Sequence, residues 1–125
     1  MGWVYYNPNP KYKHTGDCAV RAIAKAFDVS WDTAKAYIDV YSMDEAEVET
    51  SDLVWGKILS LHGFKMKAMY CAECRHTLND FCKQHKKGVY VLKLPEHVVC
   101  VVDGDYYDTL PSLGNEVPLY YWERG

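Results

Sequence analysis

A chain of 125 residues, 49% of them apolar and 25% charged, has the composition of one folded domain and enough length to bury a sizeable core. A formal charge of -3 leaves out the basic surface that nucleic-acid binding needs, and no apolar run reaches the roughly 20 residues that span a bilayer. Five cysteines are an odd set, which points to a reducing, cytoplasmic compartment rather than a disulfide-closed secreted scaffold. The expectation is a single domain over residues 1–125 with neither nucleic acid nor membrane as partner; oligomeric state is left open.

Residues 1–16 read as an extended segment followed by a loop, since NPNPKYKHTG has no periodicity and proline opposes a helix. A first helix should begin at Asp17 or Cys18, with Val20, Ile23, Ala24 and Phe27 forming an apolar stripe at i, i+3, i+4 and i+7 and with Arg21 and Lys25 on the opposite side. Ser30 caps a second helix that buries Trp31, Ala34, Ile38 and Tyr41. After the acidic connection MDEAEVET, Ser51 and Asp52 open a third helix carrying Val54, Trp55, Ile58 and Leu61, which Gly63 ends.

The period then changes to two. FKMKAMY alternates as a strand, and TLNDFCKQHKKG is a short helix with a threonine cap and a glycine stop. VYVLKL, HVVCVVDGDYYDTL and PLYYW are β-branched and aromatic runs divided by turn residues, and Asp103-Gly104 is a hairpin signal. Helices first and strands later predict an α+β fold, with N-terminal helices packed on a C-terminal antiparallel sheet.

Cys18 falls outside the apolar stripe, toward Arg21, Ala22 and Lys25, where a core cysteine is not expected. The first turn of a helix offers unpaired N–H groups and a positive dipole end, which favour a thiolate and can hold an oxyanion. The adjacent Asp17 is a helix cap by type, and its charge opposes that effect. A nucleophilic thiol needs a base. Of the five histidines, His97 opens a strand, where a rigid element would hold its ring. A two-residue loop at Asp103-Gly104 places Val99 opposite Asp108, so His97 and Asp108 share a sheet face as diagonal neighbours. A Gly104-Asp105 loop keeps that parity, and a three-residue loop breaks it. Cys18, His97 and Asp108 therefore form a candidate nucleophile, base and orienting acid.

GDCAVRAIAKA, followed far downstream by GVYVLKLPEHVVCVVDGDYYDTL, resembles the papain-like cysteine peptidase superfamily. TGDCAVRAIA is similar to the nucleophile motif of ovarian-tumour-type deubiquitinases, and the HVVCVVDGDYYDTL half resembles bacteriocin-processing and other small bacterial or phage peptidases. The resemblance implies a papain-like fold, a Cys-His-Asp thiol hydrolase acting on a protein or peptide, and no cofactor. It also implies a side chain for the oxyanion about six residues before the cysteine. Tyr12 stands there, so Asn7, Asn9 or a backbone N–H near Thr15 would substitute, with Asn9 preferred.

Two other functions fit parts of the sequence. Cys71, Cys74, Cys82 and His85 have spacing that could hold a zinc ion in a metal-stabilised binding domain, although Cys82 also fits the apolar face of a short helix with Leu78 and Phe81. A papain-like fold could also serve as a non-enzymatic interaction module.

Overall fold

The computed structural model describes residues 2–8, 18–45, 52–68, 76–109 and 111–124. Among these the chain is α+β, with four α-helices and one six-stranded mixed sheet. The strands are β1 (Gly2–Tyr5), β2 (Phe64–Ala68), β3 (Val89–Leu94), β4 (His97–Val102), β5 (Asp105–Asp108) and β6 (Tyr120–Arg124). The helices are α1 (Cys18–Phe27), α2 (Trp31–Glu45), α3 (Asp52–Leu61) and α4 (Leu78–Gln84), and a 3-10 helix covers Pro111–Asn115. No helix among the described residues is long and apolar enough to cross a membrane.

The sheet order is β1-β5-β4-β3-β6-β2. Four of its five pairings are antiparallel, as expected, but the extended N-terminal segment joins as a parallel edge strand, Gly2 to Tyr5 lying beside Asp105 to Asp108. The sheet is therefore mixed, and it is not confined to the C-terminal half. A parallel partner needs a long crossover rather than a turn, so no local signal announces it.

Alternation along β3 and β4 divides the core. Val89, Val91, Val98 and Cys100 pack with α1, α2 and α3, while Leu92, Leu94, Val99 and Val101 pack with Leu78, Phe81 and Cys82 of α4 and with Leu113. Both sheet faces are covered, which explains why these strands read as nearly unbroken apolar runs. Ser30 Oγ accepts the Thr33 amide at 3.1 Å at the start of α2. Thr77 and Asp80 form a reciprocal capping box on α4. In α3 the residue turned inward near the end is Leu59, whereas Leu61 is exposed. Gly56 lets that helix settle on the sheet, since a Cβ there would stand 3.2 Å from the Trp122 ring.

The Asp103-Gly104 turn forms as the sequence indicates. Val102 pairs with Asp105, and both turn residues have positive φ, 50° and 87°, the geometry of a two-residue type I′ hairpin. Gly88 grips the turn through its amide, which donates to Asp103 Oδ1 at 2.9 Å, while its carbonyl accepts from the Asp103 amide at 3.0 Å.

Candidate active site

With the hairpin register fixed, Cys100 faces Tyr107 and Val101 faces Tyr106, and His97 and Asp108 fall on one side of the sheet. His97 Nε2 lies 2.6 Å from Asp108 Oδ2. A carboxylate only accepts, so Nε2 carries a proton, which in the neutral ring leaves the lone pair on Nδ1. The sequence expectation for this pair matches the observed contact.

Asp108 is 1% exposed and heavily bonded. Its Oδ1 accepts from the Thr109 amide at 2.6 Å, the Thr109 hydroxyl at 3.3 Å and Arg21 Nη2 at 3.4 Å. Its backbone carbonyl accepts from the Trp3 indole at 2.9 Å and from the Tyr6 amide at 3.1 Å, which binds the β1 segment to the acid. Trp3 and Tyr5 stay substantially exposed, pack edge to face, and pair with Tyr106 and Asp108 respectively. They form an aromatic border on the face that carries His97.

Arg21 is the main departure from the sequence reading. The helical wheel puts it opposite the apolar stripe, yet it is 3% exposed and ion-paired with Asp108. α1 contacts the sheet, α2 and α3, and Ala19, Ala22, Ala24 and Ala26 give it a girth slim enough to be enclosed. The flank that reads as polar is thus turned toward β5. Lys25, one turn beyond Arg21, lies 4.1 Å from the centre of the Tyr107 ring. Asp28 ends the helix with φ 55°, and the Val29 amide reaches back to the Ala24 carbonyl at 2.9 Å, a left-handed C-terminal cap.

These contacts orient α1. Its later turns lie by Val102 and Asp103 at the hairpin end, where Lys25, Ala26 and Asp28 line a shared cleft. Its Arg21 level lies at Asp108, the last residue of β5, and β4 begins at the same rim with His97. Cys18 opens the helix at that end, three residues before Arg21 and therefore one turn from it on the same flank. Its thiol is free and partly buried. No hydrogen bond joins its sulfur to the His97 ring. α1 covers the Val98 and Cys100 face, whereas strand alternation assigns His97 to the opposite one. Any path from thiol to imidazole would run around the end of the strand. Arg21 makes that crossing already.

The other candidates fall elsewhere. Asn9, Cys71 and Cys74 lie outside the described residues. Cys82 is buried on α4 beside Leu78 and Phe81, and desolvation pushes its thiol up to about 11. His85 has Nδ1 3.0 Å from the Phe81 carbonyl and its ring stacked on Phe81. Cys100 sits in the core, where burial pushes its thiol up to about 12. No group of three metal-ligating side chains occurs among the described residues.

No protein-family model, curated protein or solved structure matches this chain.

Proposed function

We propose that the protein is a papain-like thiol hydrolase that cleaves an amide or isopeptide bond in a protein or peptide. What supports this reading is the 2.6 Å His97–Asp108 contact at the rim where Cys18 opens α1. With Nε2 held by Asp108, Nδ1 is the nitrogen that takes the Cys18 proton. The thiolate adds to the carbonyl carbon, and the developing oxyanion is held by first-turn amides of α1, Asn9 being the side-chain donor expected from the sequence alone. Collapse breaks the C–N bond, and His97 Nδ1 returns the proton to the leaving nitrogen. Water then attacks the thioester, His97 takes its proton, and hydrolysis releases the acid and restores the thiol. Catalytic hydrogen bonds are often long in a resting enzyme and shorten when substrate is seated, which is the closing movement required of Cys18 and His97.

The test is alkylation by iodoacetamide across pH, followed by a panel of electrophilic peptide and ubiquitin-like probes with the adduct mapped by mass spectrometry. Activation appears as a plateau of Cys18 reactivity well below the free-thiol range, lost in His97→Ala, with probe adducts on Cys18 that vanish in Cys18→Ala. A Cys18 that titrates near about 8.5, like an ordinary thiol, refutes the proposal.

A further inference from the structure

We propose that the cleft at the hairpin end of the sheet is a binding site for a free aliphatic α-amino acid, held as its zwitterion. It lies at the opposite end of β4 from His97 and does not depend on the hydrolase reading. The cleft encloses about 320 Å³, at the small end of ligand pockets. Four charged side chains line it: Lys25 and Asp28 at the end of α1, Asp103 in the turn after β4, and Arg124 at the end of β6. The floor between them is apolar. Val102 pairs with Val89, and Arg124 follows Glu123, the partner of Tyr90, so Val102, Val89 and Arg124 lie side by side on neighbouring strands about 4.8 Å apart.

Two cations and two anions share this small space, yet among the described residues no ion pair joins them. Local structure sets their places instead. Lys25 Nζ stands 4.1 Å from the centre of the Tyr107 ring and 5.7 Å from that of Tyr6. Asp103 is fixed in the turn, its Oδ1 accepting the Gly88 amide at 2.9 Å while Oδ2 takes no part in that bond. Asp28 is held by the left-handed cap of α1, and Arg124 by its pairing with Phe64. With Lys25 against the tyrosine rings, one guanidinium and two carboxylates are presented to the cleft. A guanidinium grips a carboxylate with two parallel N–H donors, and two acids, one from the helix side and one from the sheet side, suit an ammonium with three donors. An α-amino acid carries both groups on one carbon, and an aliphatic side chain covers Val89 and Val102. A simple anion would meet two carboxylates and a metal cation would meet two cations, so the charge pattern selects against both.

The experiment titrates the full-length, nitrogen-labelled protein with L-leucine at neutral pH and follows its amide resonances. Shifts should saturate with a dissociation constant of about 1 mM or lower and concentrate on Asp28, Val102, Asp103 and Arg124, with Thr109 at the other end unmoved. N-acetyl-leucine lacks the ammonium and leucinamide lacks the carboxylate, and each should bind at least about tenfold more weakly. Variants then assign the groups. Arg124→Gln should weaken leucine about tenfold and leave leucinamide unchanged, whereas Asp28→Asn should weaken leucine and leave N-acetyl-leucine unchanged. Asparagine tolerates the left-handed backbone at position 28, and thermal melting reports whether each variant is folded. The comparison of leucine with its two derivatives needs no variant, so a failure to fold leaves the test intact. No saturation by about 10 mM, shifts centred away from the cleft, or a blocked derivative binding as tightly as leucine overturns the proposal. So does a folded Arg124→Gln that binds leucine like wild type.

Discussion

Asp108→Asn changes one atom and rearranges the proton on His97. The carboxylate oxygens differ in what they meet: Oδ1 faces Arg21 and both donors of Thr109, whereas Oδ2 faces His97 Nε2. The amide oxygen is kept where three donors converge, so the NH2 group turns to His97. Facing a donor, Nε2 must accept, and the ring proton moves to Nδ1, the atom that the proposed mechanism needs for the thiol proton. Arg21, 3% exposed, then faces a neutral group. The loss is expected at about 3 kcal/mol, the low end for a broken buried ion pair because an oxygen acceptor remains. For a chain of this size that lowers the melting temperature by about 10 °C. Calorimetry measures the second effect, and nitrogen chemical shifts of the imidazole measure the first. A melting point within about 2 °C of wild type refutes the charge-pair reasoning, and a proton still on Nε2 refutes the tautomer reasoning.

High pH should destabilise the fold through its buried thiols. Cys82 and Cys100 are pushed up to about 11 and about 12 from an ordinary value of 9.0, so the unfolded chain releases these protons first and stability falls from about pH 9 upward. Melting temperatures measured between pH 8 and 11 should decline, less steeply in Cys100→Ala; equal slopes would refute this source. At the hairpin, Gly104→Ala forces a side chain into φ 87° with its Cβ 3.3 Å from the Cys82 carbonyl. The cost is expected at about 1–2 kcal/mol, read as a lower urea midpoint with unchanged slope.

The pairing of His97 with Asp108 was legible because a two-residue glycine turn fixes register, and register fixes which side chains share a face. Thr77 and Ser30 were legible for a similar reason: a cap is a local bond. Arg21 was not, because its partner lies 87 positions away and a helical wheel assigns a charged residue to solvent. The hint was compositional. Four alanines make α1 narrow enough to be surrounded, and then even its polar flank must find a partner. β1 was legible as extended but not as paired, since nothing near Trp3 encodes the proximity of Tyr106. The exchange of Leu61 for Leu59 reflects a choice between two leucines two positions apart at the end of α3, where periodicity alone is a weak guide.

The bond from the Trp3 indole to the Asp108 carbonyl closes a separation of 105 positions. Closing so long a loop is entropically expensive and belongs late in folding. A chain emerging from the ribosome would display Cys18 well before His97 and Asp108 were synthesised. On the proposed function, the three site residues would come together only once β4 and β5 are in place, so an unfinished copy would hold the thiol without the proposed base and acid.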